Sequence, residues 1–191
     1  MTCVFNKKSF IHYYAFIITL GEISMSKLLA LALSIGVLGG VWAFLALGPL
    51  AGMVLVWAGF IAWGCYFHTG GDSVALQKTI VGMVYGAVVA GVALALVVHN
   101  PVSLPAVVAA PIYVGVTVFF LVIVASLPLL SVVPANVYGY AATAGYALST
   151  NTANLTTTGN FTNPVLLVVL SVILGAIFAM VSGKLAGMLG K

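Results

Sequence analysis

The chain has 191 residues, of which 63% are hydrophobic and 4% charged, with a mean hydropathy of +1.27. A soluble domain carries roughly a quarter charged residues, and no water-exposed fold of this length hides so much apolar surface, so the expected solvent is lipid. The formal charge of +4 comes from lysines set against Glu22 and Asp72; they stand singly at the ends of apolar blocks, where they read as orientation signals and not as a nucleic-acid surface.

Crossings of about 20 residues fit five to seven times, which predicts an all-α polytopic transmembrane bundle with no separate soluble domain over residues 25–191. Cys3 lies in the N-terminal tail and Cys65 inside an apolar block. Neither a disulfide nor a Cys-based metal site follows from that placement, and no cofactor is expected.

Residues 1–24 hold Lys7, Lys8 and a short aromatic run around Tyr13 and Tyr14. The run is too short to span and resembles a signal peptide without a small-residue cleavage site. It reads as an N-terminal extension: either an interfacial segment, or translated upstream sequence ahead of a start at Met25.

The first span covers residues 28–47, with Gly36 and Gly40 at a spacing that lets another helix approach closely and with Trp42 and Phe44 expected as interfacial anchors. A Gly48-Pro49 turn leads to a second, aromatic span over 53–67, whose Trp57 and Trp63 serve either as packing or as an apolar constriction along a pore. The loop after it contains His68 and Asp72. Asp72 is placed to cap the next helix, with a proton relay between His68 and Asp72 as the sharper alternative. The third span, 79–98, carries Gly82, Gly86 and Ala90 at close-contact spacing. The fourth, 106–127, is aliphatic and lipid-facing.

Residues 128–148 differ from every other apolar block. They are small residues and tyrosines with Pro128, Pro134, Asn136 and Thr143, a surface that hydrocarbon disfavours. A Thr/Asn-rich stretch over 149–163 reads as a flexible external loop, and the last span runs from Pro164 to about Ser182.

Lys27, Lys78, Lys184 and Lys191 mark the ends of spans that must then lie on one side. That parity predicts six spans with both termini cytoplasmic, in a bacterial inner membrane. The alternative is five spans, with residues 128–148 a re-entrant half-helix preceded by unwound backbone at Val132-Val133-Pro134.

Several residues together resemble the uncharacterised bacterial inner-membrane family typified by YcdZ: Trp42 after a Gly-rich span, Trp57-Ala58-Gly59-Phe60, Gly70-Gly71, and Val133-Pro134 followed by Gly139 and Ala141. The resemblance covers Met25 to the C-terminus and implies a domain of unknown function, with no activity to carry over. From the residues themselves we expect a channel or facilitator for a small uncharged polar solute. Its path is lined by helix 131–148 through Asn136, Tyr140 and Thr143 on one stripe, with Pro134 and Tyr138 beside it, because hydroxyls and an amide without charge suit neutral cargo.

The alternatives are a non-transporting accessory subunit of a membrane complex, and a proton-coupled transporter using His68 and Asp72. No acid–base pair, nucleophile with its base, or metal triad points to an enzyme. The bilayer, the solute and further copies of the chain are the expected partners.

Overall fold

The computed structural model describes residues 26–190; the N-terminal extension lies outside them. These residues form six α-helices and no named strand. Helix α1 (Lys27–Leu47) starts at Ser26, whose hydroxyl accepts from Leu29 N–H at 3.2 Å, and stops at Gly48-Pro49, where proline cannot continue a helix. Helix α2 (Val56–His68) has no cap of its own; the free N–H of Leu55 instead donates to Ser171 Oγ, 2.7 Å away on a distant helix.

Asp72 caps helix α3 (Ser73–His99), its carboxylate accepting from Ala75 N–H at 2.7 Å, as the sequence predicts. Asn100 ends that helix in the left-handed region and ties it to helix α4 (Ala106–Ile123) through Leu104 and the Tyr113 hydroxyl. Two 3-10 turns, Val124–Ser126 and Pro128–Leu130, precede helix α5 (Val133–Ser149). Pro134 sits in its first turn, where the missing N–H costs nothing. Helix α6 (Pro164–Leu189) is capped by Asn163, which accepts from Val165 N–H at 2.9 Å.

Four segments are long and apolar enough to cross a membrane: Lys27–Leu47, Ser73–His99, Val107–Ser126 and Pro164–Leu189. The other two helices are shorter. At 1.5 Å per residue the 13 residues of α2 rise about 20 Å and the 17 of α5 about 25 Å, against a hydrocarbon core of about 30 Å. The protein is thus a membrane-like helical bundle in which two short helices are held among four long ones.

The packing plan repeats. Helices α1 and α2 pack on α6, helices α4 and α5 pack on α3, and α3 packs on α6. Each lobe therefore takes its first two helices from one half of the chain and its third from the other half. One constant shift carries the buried Thr79, Gly82, Met83, Gly86, Ala90 and Ala93 of α3 onto the buried Val168, Ser171, Val172, Gly175, Ala179 and Ser182 of α6. Another carries Ala30, Ser34 and Trp42 of α1 onto Ala109, Tyr113 and Leu121 of α4.

The matched helices run in opposite directions. Gly91 of α3 lies against Val165 at the start of α6, and Gly190 at its end lies against Lys27 and Ala30. The two halves form an inverted repeat about a pseudo-two-fold axis that lies across the helices.

Close approach at glycine makes the interlock. A Cβ on Gly86 would collide with the Asn136 carbonyl, and one on Gly139 with the Met83 carbonyl, so α3 and α5 touch backbone to backbone. Gly175 meets Gly59 in the same way between α6 and α2. Small residues permit such crossings where apolar side chains alone give helices no preference for protein over lipid. Gly36 and Gly40, by contrast, face open space; it is Gly39 that receives Phe60, at 3.3 Å from a Cβ built there.

Among the described residues every charged side chain lies at one end. Lys27 begins α1, Asp72 and Lys78 flank the start of α3, and Lys184 is near the end of α6. The opposite end carries His99 and the Thr/Asn-rich loop. That loop is built rather than loose: it contains a 3-10 turn, Ala153–Leu155, and Asn163 Nδ2 donates to the carbonyls of Thr156 and Thr158 at 3.0 and 2.7 Å. Side-chain amides supply the bonds that a flexible reading of the composition leaves out.

Candidate site between the two short helices

Helices α2 and α5 run side by side and leave a cleft of roughly 340 Å³ between them. Trp57 and Ile61 line it from α2; Tyr138, Ala141, Gly145 and Ser149 line it from α5. The α5 residues recur every three or four positions, which sets them on one helix face. Because α2 descends from the uncharged end while α5 climbs toward it, Trp57 and Ser149 lie nearest the uncharged end of the cleft and Tyr138 lies nearest the lysine end.

The lining is apolar with hydroxyls at intervals and carries no charge. Trp57 is 41% and Tyr138 38% exposed. Gly145 meets nothing within 4 Å of a built Cβ, so its missing side chain contributes directly to the open volume.

The predicted path residues divide between two faces of α5. Tyr138 lines the cleft. Asn136 and Thr143 are fully buried on the side turned to α3 and α4, and the Tyr140 hydroxyl is 3.2 Å from Thr117 Oγ1 of α4. Asn136 Nδ2 donates to the carbonyls of Leu121 and Leu130 at 3.3 and 3.1 Å, which anchors the first turn of α5 to the end of α4. Its Oδ1, like Thr143 Oγ1, has no protein partner. Pro134 is half-buried in that first turn.

The two tryptophans also part. Trp57 faces the cleft, whereas Trp63 is buried and donates from Nε1 to Ser182 Oγ at 3.1 Å. Trp42, expected at an interface, is 0% exposed and donates to the Val56 carbonyl at 2.9 Å, against Gly59 and Phe178. Its indole N–H finds that bond inside the fold, which is why it leaves the surface. His68 is exposed at the lysine end, and the Asp72 carboxylate is engaged as a helix cap.

Residues that the sequence did not assign to a path also line the site. Ile61, Ala141, Gly145 and Ser149 shape the cleft, and the spacing Ala141, Gly145, Ser149 is the signal that could have found them. Ser171 and Ser182 bridge α6 to α2. Among the described residues no group of three His, Cys, Asp or Glu is placed to hold a metal ion.

No curated protein and no solved structure matches the chain. The family model DUF1097, described as a protein of unknown function, matches residues 32–187, nearly all of the bundle and both short helices. The chain belongs to this family.

Proposed function

We propose that this protein is a facilitator for a small uncharged polar solute, crossing the membrane six times as three helices and their inverted repeat. The observation that carries the reading is the cleft between the two short helices, uncharged and dotted with the hydroxyls of Tyr138, Tyr146 and Ser149. Irregular backbone at membrane depth is tolerated where protein or a water-filled cavity surrounds it, and short helices at a repeat interface are where many transporters hold their solute. Residues 48–55 bring the chain to α2 as residues 127–132 bring it to α5, which supports six passages. The lysine end is the cytoplasmic one by the positive-inside rule, in a bacterial inner membrane, with both termini on that side.

Uptake by proteoliposomes is the test, read with a panel of small neutral solutes such as urea, glycerol and formamide. Wild-type protein should pass at least one faster than protein-free vesicles. Ala141→Trp and Gly145→Trp, which fill the cleft, should abolish that flux while the protein still purifies as a folded species. Flux indifferent to both substitutions overturns the assignment of the path.

A second reading, an accessory subunit of a larger complex, is favoured by the bare glycines Gly36 and Gly40 on an outward face of α1. No flux for the wild type, with a partner co-purifying at fixed stoichiometry, would establish it instead. A proton relay through His68 and Asp72 would use a carboxylate that also caps the α3 N-terminus, and pH-dependent uptake abolished by Asp72→Asn would establish it.

A further inference from the structure

We propose that the Trp57 indole is the size filter of the solute path, standing between the cleft and a second cavity beside it. This rests on the facilitator reading above and names the residue that sets its selectivity. The second cavity is roughly 380 Å³ and is walled by the end of α1 and the connection into α2, with Ala46, Ala51, Val54 and Leu55 in its lining. Trp57 is the residue common to this lining and to that of the cleft. Because α1 ends and α2 begins at the uncharged end, the second cavity lies at that end, and a solute moving between the two cavities passes the indole.

The other tryptophans show what is particular about this one. Trp42 and Trp63 are buried, and each gives its indole N–H to protein, Trp42 to the Val56 carbonyl and Trp63 to Ser182 Oγ. Both are packing residues. Trp57 is the exposed one, and no acceptor among the described residues takes its N–H. An indole is large and rigid, with an apolar body and one polar handle. Set in the wall of two cavities, it restricts passage by its area and offers a single donor.

The chambers on its two sides differ in chemistry. Tyr138, Tyr146 and Ser149 bring hydroxyls to the cleft, whereas apart from Trp57 the side chains of the second cavity are aliphatic. Polar groups that enter such a chamber without a partner are costly. The cargo is therefore a compact neutral molecule with one acceptor oxygen for the indole and few further polar groups, a short amide before a sugar alcohol. A single ring sets this limit. The shift that carries Gly59 onto Gly139 and Ala62 onto Ala142 puts Val137 at the position of Trp57, so the repeat supplies no second indole.

The test is proteoliposome uptake of a size series, formamide, urea, glycerol, erythritol and xylitol, with a thermal transition measured for every variant. Trp57→Ala should raise the rate of erythritol relative to formamide several-fold, and Trp57→Phe should raise it less, because a phenyl ring covers part of the same area. Ala51→Trp, which fills the second cavity, should slow every solute several-fold. The emission of Trp57, taken as the difference between wild type and Trp57→Phe, should be quenched several-fold more by acrylamide, a water-borne neutral amide, than by brominated acyl chains. Trp57→Phe and the quenching decide the matter if Trp57→Ala does not fold.

Uptake with a size profile indifferent to Trp57→Ala and Trp57→Phe, or with rates indifferent to Ala51→Trp, overturns the filter and leaves the facilitator standing. Quenching chiefly by the brominated chains makes Trp57 an interfacial anchor and overturns the filter as well. Absence of uptake by wild type and variants alike overturns the facilitator, and the filter with it.

Discussion

The seam between α2 and α6 and the seam between α3 and α5 are the same piece of architecture, and they are fastened differently. Both cross at glycine with backbones in contact. In the first, Ser171 Oγ takes the Leu55 N–H and Ser182 Oγ takes the Trp63 indole at 2.7 and 3.1 Å, so side-chain bonds pin helix to helix. In the second, the positions equivalent to those serines are Gly82 and Ala93, which offer no hydrogen-bonding side chain, and the polar atoms facing them on α5 go unpaired. Identical geometry thus yields one seam with fixed register and one held by shape alone.

Five substitutions break or sharpen this contrast. The largest effect is expected from Gly86→Val, because the new side chain meets the Asn136 backbone, which cannot swing aside as a flexible side chain can. Overpacking of this kind costs about 3 kcal/mol or more where the backbone itself must move, and detergent-solubilised protein should show a lost or sharply lowered thermal transition. Ser182→Ala comes next: it strands the buried Trp63 N–H, a loss of about 1–3 kcal/mol, readable as a lowered Tm. Trp63→Phe in the same background should recover part of that loss by removing the stranded donor.

Thr143→Val removes a hydroxyl without a protein partner at nearly constant volume. Its expected effect is neutral to stabilising by about 1 kcal/mol, and a clear drop in Tm would show that the hydroxyl is bonded to water in the folded protein. The smallest is Gly36→Ala, which enters open space and should gain up to about 1 kcal/mol from helix propensity alone; destabilisation there would reveal a copy of the chain packed on α1.

The long helices were legible in the sequence because length and hydropathy suffice to mark α1, α3 and α6, and the Gly82, Gly86, Ala90 spacing pointed to the close α3 contact that the structure makes with α5. The inverted repeat was not. In lipid, inward and outward faces are both apolar, so hydropathy carries no period, and burial is set by side-chain size instead. Thr79 matches Val168 and Gly82 matches Ser171 in position while differing in chemistry, which hides the relation from any reading of residue types.

The stripe of Asn136, Tyr140 and Thr143 was correctly read as avoiding hydrocarbon, but polarity alone could not say whether protein or a cavity receives it. The opposite face of α5 forms the cleft, and it announces itself only through the smallness of Ala141 and Gly145. The role of Trp42 was likewise out of reach, since its bond goes to a carbonyl in a different helix.

Because the third helix of each half is seated in the lobe built by the other, a half-length chain has nowhere of its own to bury that helix. Expressed alone, either half could complete its packing only by pairing with a second molecule inserted upside down.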